Sequence, residues 1–110
     1  MSELLDKRLR FTRHLTTLLA RFNQMSGIDV ALGRDFDESN EKLRHMRGSL
    51  HYLGLANDLA LYVNGKYQTT TEAYAEMGAF WLSLDIDNRW GGTFKKADGN
   101  HFSITYGGKS

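Results

Sequence analysis

The sequence predicts an α+β domain, a small antiparallel sheet with helices packed on one side, and three observations carry that prediction. Leu4, Phe11, Leu15, Leu18, Phe22 and Met25 recur at spacings of three, four and seven, the stripe of an amphipathic helix. Residues 55–63 alternate and run into Asn64-Gly65, a strand closed by a two-residue hairpin turn. Tyr74, Met77, Phe80, Trp81 and Leu84 form a second helical stripe, followed by short alternating segments that read as further strands.

Taken in order, the first helix is predicted from Ser2, a capping residue, to about Met25, with Gly27 ending it. Lys7, Arg8, Arg10 and Arg13 are expected on its solvated face, and His14 is given no role. Ile28 to Leu32 should be a strand facing the helix, ended by Gly33. Residues 34–47 are polar, with Phe36, Leu43 and Met46 as anchors, and read as a loop and a short helix begun by Ser39, with His45 on the surface. Leu55 to Val63 is the expected central strand. Ala56, Asp58, Ala60 and Tyr62 share one of its faces and Asn57, Leu59, Leu61 and Val63 the other, because successive side chains alternate. Asn57 is out of place on that apolar face, since a buried amide needs partners. Thr69, with Glu72 three residues on, has capping-box spacing for the second helix. Short strands are expected at Arg89 to Trp90, Thr93 to Lys95 and His101 to Tyr106.

The 110 residues suit a single domain spanning 1–110, with 41% hydrophobic, 12% aromatic and 25% charged residues, ordinary values for a globular chain. A net charge of +1 without a basic stripe beyond the first helix makes no case for nucleic acid. Without cysteine there is neither disulfide nor thiolate site. No apolar run approaches the roughly 20 residues of a spanning helix, and the basic residues before Leu15 to Ala20 sit inside the amphipathic pattern, so neither a membrane segment nor a signal peptide is expected.

Candidate chemistry begins at Ser49-Leu50-His51-Tyr52-Leu53-Gly54-Leu55-Ala56-Asn57-Asp58. His51 offers an imidazole nitrogen and Asp58 a carboxylate, and Gly54 between them allows a sharp turn that carries Asp58 back beside His51. That spacing alone is equally the spacing of a loop histidine and a strand-edge acid. A second cluster, Asp98-Gly99-Asn100-His101-Phe102-Ser103, supplies His101. Two histidines and an aspartate leave one position open on a tetrahedral zinc, the arrangement of a catalytic site, whereas structural sites close all four positions and usually use cysteine. Asp98 would stand beside the metal as an unligated acid, although Asp-Gly is also simply a good turn.

Ser49-x-His51-x-x-Gly54-x-Ala56-x-Asp58, Trp90-Gly91-Gly92-Thr93-Phe94 and Asp98-x-x-His101-Phe102 together resemble the signature of the LAS-type zinc peptidases, the family of D-Ala-D-Ala carboxypeptidases and phage L-alanyl-D-glutamate endopeptidases. The resemblance runs from about Gly27 to Tyr106. It implies a hedgehog/DD-peptidase-like fold with Zn2+ on the sheet, held by His51, Asp58 and His101, and Asp98 as general base. Ser49 would position substrate or a ligand. The implied substrate is the stem peptide of bacterial peptidoglycan, cut between L-Ala and D-Glu by the phage enzymes. Such enzymes carry an arginine shortly after the first strand to meet a substrate carboxylate; here that point falls on Asp37, and Arg34 is the offset candidate for substrate binding.

On this reading the chain is the monomeric catalytic domain of a phage or prophage endolysin without a separate wall-binding domain. It would be made in the host cytoplasm and act at the cell wall or periplasm after holin-type release. A D,D-carboxypeptidase on the same fold and a noncatalytic wall-peptide-binding module are the alternatives.

Overall fold

The computed structural model describes residues 2–33 and 49–110. Arg34, the expected helix from Ser39, and His45 lie outside the described residues. The described chain is α+β. Helix α1 (Glu3–Asn23) leads to strand β1 (Ile28–Leu32), then a 3-10 turn (Leu50–Leu53) to β2 (Ala56–Val63) and β3 (Lys66–Tyr67). A second 3-10 turn (Glu72–Tyr74) runs into α2 (Ala75–Leu84), followed by β4 (Asn88–Trp90), a third 3-10 turn (Gly91–Thr93) and β5 (His101–Ile104). All pairings are antiparallel, in the order β1-β2-β5-β4, with β3 also on β2.

Ser2 caps α1 as expected, its Oγ accepting the Leu5 N–H. The α1 stripe buries Phe11, Leu18 and Phe22 against Val30, Leu59, Leu61, Phe102 and Ile104 of the sheet and Met77 and Trp81 of α2. The Trp81 ring, fully buried, meets Phe11 and Phe102 edge-on and donates its N–H to the carbonyls of Arg89 and Ser103. One face of the sheet is thereby covered by both helices, and the alternation of β2 turns Asp58, Ala60 and Tyr62 to the other face.

Lys7 departs from the expected solvated face. It lies three residues after Leu4 and four before Phe11, inside the stripe, and is only 8% exposed. Its ammonium donates to the Thr105 carbonyl at 2.8 Å and to Asp87 at 3.1 Å. Arg10 grips Asp85 through two nitrogens and reaches Asp87, and His14 stands 3.1 Å from Asp85. Burial alone would push the Asp85 carboxyl up, but the Asp87 N–H, Arg10 and His14 outweigh it and hold it below its ordinary range. Asp87 is held down by Arg10 and Lys7. These contacts fasten α1 to the turn between α2 and β4.

The β2–β3 hairpin turns on Asn64 and Gly65, with φ of 51° and 79°, the left-handed pair that an Asn-Gly turn supplies. Beyond it, β3 and β5 lie along the same edge of β2 with a gap between them. The Gln68 N–H donates to Leu61 O, and the Leu59 N–H to Asn100 O. Between them Leu61 N–H and Leu59 O have no strand opposite. The Tyr74 hydroxyl fills that break: it accepts from Leu61 N at 3.1 Å, with Leu59 O at 3.3 Å and Gln68 O at 3.2 Å as acceptors for its own proton. Burial raises its pKa.

Two local expectations are corrected. The hydroxyl that caps the 72–84 segment is Thr70, accepting from the Ala73 N–H, not Thr69, and a 3-10 turn precedes α2. Thr93 to Lys95 form no strand, because the Gly91 carbonyl accepts from both Phe94 N and Asp98 N and curls the chain around itself.

Candidate metal centre

His51 sits in the 3-10 turn immediately before β2. Ser49 begins that turn, its Oγ accepting the His51 N–H at 3.2 Å, and Gly54 ends it at φ 72°, a conformation that favours glycine. The Leu55 N–H closes back on Leu50 O. The expected sharp turn after His51 is thus formed. Asp58 is the register partner of His101 across β2 and β5, and partners in an antiparallel pair point to the same face with Cβ atoms roughly 5 Å apart.

The three side chains converge. His51 Nε2 lies 3.3 Å from His101 Nδ1, and Asp58 Oδ1 lies 3.6 Å from His51 Nε2 and 3.7 Å from His101 Nδ1. Donors about 2.1 Å from a tetrahedral centre stand about 3.4 Å apart, against about 3.0 Å for neighbouring donors of an octahedral centre. The observed triangle matches the tetrahedral spacing. Asp58 Oδ1 is buried and has no hydrogen-bond partner among the described residues, and such a carboxylate oxygen, facing two imidazole nitrogens beyond hydrogen-bonding range, is suited to a cation. His51, Asp58 and His101 could therefore hold a metal ion. If Nδ1 of His101 gives its lone pair to the ion, Nε2 carries the proton; it is buried without a hydrogen-bond partner among the described residues, and the ring stands 5.4 Å from that of Phe94.

In comparisons with known proteins, no family model matches the chain and no curated protein is significantly similar to it.

Asp98 is exposed on the turn before β5, its N–H on Gly91 O and its carbonyl accepting from His101 N. It is not in the ligand triangle. It lines a hollow of about 220 Å³ together with Gln68, Thr69, Thr70, Thr71 and Asn100. A second hollow of about 330 Å³ lies over the sheet face opposite the helices, at Asp58, Ala60, Tyr62 and Gly33. Tyr67 and Asn100 border both. The Tyr62 and Tyr67 rings pack 5.4 Å apart beside Asp58.

Sequence reasoning missed these hollows, although Tyr62, four residues from Asp58 on an alternating strand, had to share its face. It also missed the part played by Trp90. The Trp90 indole passes between Gly78 of α2 and Gly92, where a Cβ on either glycine would overlap it, and donates its N–H to Gly99 O at 2.7 Å. It thereby holds the loop between Asp98 and His101 against α2. Asn57 keeps its buried Oδ1 without a partner among the described residues. No described helix is long and apolar enough to cross a membrane.

Proposed function

We propose that the protein is a zinc-dependent peptidoglycan peptidase that cuts a stem-peptide amide bond, L-Ala–D-Glu foremost, as a phage or prophage endolysin domain acting at the bacterial cell wall. The observation that carries the reading is the donor triangle of His51, Asp58 and His101 at tetrahedral spacing, with an unsatisfied carboxylate oxygen at one corner and a hollow lined in part by Asp58. The tetrahedral spacing favours zinc over the octahedral iron that two histidines and a carboxylate also serve. The ordered resemblance of the three sequence motifs to the LAS-type peptidases supplies the substrate class.

Zinc bound there would polarise the scissile carbonyl and make water acidic enough to attack near neutral pH. The remaining work falls to the chain. Hydrolysis adds the hydroxyl of water to the acyl carbon, breaks the C–N bond and places a proton on the departing nitrogen. Asp98 takes the water proton and delivers it to that nitrogen, the role of a general base that becomes a general acid. Ser49 acts one step removed, holding the backbone of His51 through its Oγ.

The test is a digest of purified peptidoglycan by the zinc-reconstituted protein, read by mass spectrometry. New L-Ala carboxyl and D-Glu amino termini are expected, together with about one zinc per chain and loss of cleavage on chelation. New termini at a D-Ala–D-Ala bond would make the enzyme a carboxypeptidase instead. Intact stem peptides with a metal-loaded protein would leave a wall-peptide-binding module, and full activity without metal would overturn the reading entirely.

A further inference from the structure

Gly91 is buried at the start of the third 3-10 turn, and it is a glycine for a reason of space. Its φ lies outside the left-handed region in which Gly27, Gly54 and Gly65 are found, so conformation does not demand a glycine there. Its neighbours do. A Cβ at Gly91 would overlap the Asp98 carbonyl oxygen and stand 2.9 Å from both the Asp98 carbonyl carbon and His101 Cβ.

Both contacts lead to the donor triangle. The Asp98 carbonyl accepts the His101 N–H at 3.1 Å, and His101 Cβ carries the imidazole whose Nδ1 is one of the three donors. Gly91 itself has little freedom to yield. Its own carbonyl accepts from Phe94 N at 3.1 Å and from Asp98 N at 2.9 Å, and the Trp90 indole next to it is wedged between Gly78 and Gly92. Relief of an added Cβ therefore falls on the segment that carries His101. Carbon atoms in ordinary contact stand about 3.5–4.0 Å apart, so a Cβ 2.9 Å from His101 Cβ calls for a shift of about 0.6 Å or more. Donor spacings of tetrahedral and octahedral centres differ by only about 0.4 Å. One methyl group at this position is enough to take the triangle off the spacing that favours zinc.

We propose that Gly91 is a positioning residue of the metal centre and a determinant of the ion it holds: the lack of a side chain there seats His101 at the tetrahedral distance from His51 and Asp58. This role needs those three residues to hold an ion, and it stands whether or not that ion cuts a peptide.

Metal binding tests it without relying on turnover. Zinc affinity by chelator competition, the preference for zinc over manganese(II) and the visible spectrum of the cobalt(II) form are measured on the full chain and on Gly91→Ala. Wild type should show the strong visible bands of tetrahedral cobalt. Gly91→Ala should bind zinc on the order of tenfold or more weakly, with a narrowed preference over manganese and weakened cobalt bands. Asp87→Asn, which loosens the fastening of α1 and touches none of the three donors, controls for a general loss of stability and should leave the bands as they are. Unchanged zinc affinity and cobalt bands in Gly91→Ala would overturn the role of Gly91, and so would bands weakened equally in Asp87→Asn. If Gly91→Ala does not fold, hydrogen exchange on the wild type decides. Zinc should slow exchange of the Asp98 amide, which donates to Gly91 O, together with that of His101 and more than that of Asn88, which donates to Asp85 O. An Asp98 amide that gains no more protection than Asn88 would overturn the coupling. Wild type that takes up neither zinc nor cobalt removes the metal centre itself and this role with it, whereas a metal-loaded protein that leaves stem peptides intact sinks the peptidase alone.

Discussion

Removing one oxygen atom, in Tyr74→Phe, should weaken the fold measurably, because that oxygen closes a break in the sheet. The ring stays in place and buried, so apolar packing is almost unchanged. What is lost is the acceptor for Leu61 N–H at 3.1 Å and the donor shared by Leu59 O and Gln68 O. A buried donor deprived of its partner costs about 1–3 kcal/mol. The adjoining hollow, which Tyr74 lines, can admit a water to part of the gap, which places the expected loss near 2 kcal/mol. With an unfolding entropy of about 2.1 cal/mol/K per residue, a chain of 110 residues loses about 4 °C of Tm per kcal/mol, so a fall of about 9 °C is expected. Urea and thermal melts followed by circular dichroism, with the metal state matched between variants, read the change. Hydrogen exchange at the Leu61 amide should speed up more than at Val30, which lies on the other side of the strand pair. A Tm within about 2 °C of wild type, with Leu61 as protected as before, would refute the assignment of the hydroxyl as the closing element.

Asp98→Asn keeps the turn but removes the proton acceptor, so hydrolysis should fall by at least about a hundredfold with zinc content and Tm near wild type; near-normal turnover would reduce Asp98 to a turn residue, and loss of zinc would make it a ligand. Asp85 and Asp87 have depressed carboxyl pKa values in the fold, so their contribution is present above the ordinary value of 3.8 and is lost as pH falls through the lower folded values. Urea midpoints measured between pH 5 and 2 should therefore fall less steeply for Asp87→Asn than for wild type, and parallel curves would contradict the role given to Arg10 and Lys7. Gly78→Ala drives a methyl into the Trp90 indole, which should cost about 1–3 kcal/mol and loosen the loop before His101. A chelator competition assay should show weaker zinc binding, and unchanged affinity would detach Trp90 from the metal site.

The elements legible in the sequence were those whose signal is local. The α1 stripe, the Asn64-Gly65 turn and the faces of β2 follow from spacing within a few residues, whereas the grouping of His51, Asp58 and His101 was expected from the resemblance of the three motifs taken together and not from local spacing. The features that escaped depend on what lies across the fold. Lys7 is buried because Asp87 and the Thr105 carbonyl wait for its ammonium at the far end of the chain, and nothing around Lys7 announces that. Tyr74 reads as one more aromatic of a helical stripe, since its hydroxyl acquires a purpose only where β3 and β5 fail to meet. Thr93 to Lys95 have strand composition, yet a single carbonyl, that of Gly91, bends them away.

The order of contacts along β2 also bears on how the site assembles. The hairpin with β3 joins neighbours across a two-residue turn, a microsecond event that requires little closure entropy. The pairing of Asp58 with His101 closes a loop of about forty residues that contains α2, and non-local pairings of this kind form late. His51 and Asp58 can therefore approach one another early, but the third donor arrives only when β5 docks. Metal added during refolding should not hasten the chain toward its fold; it can fasten the last joint once made, and its effect belongs to the rate of unfolding.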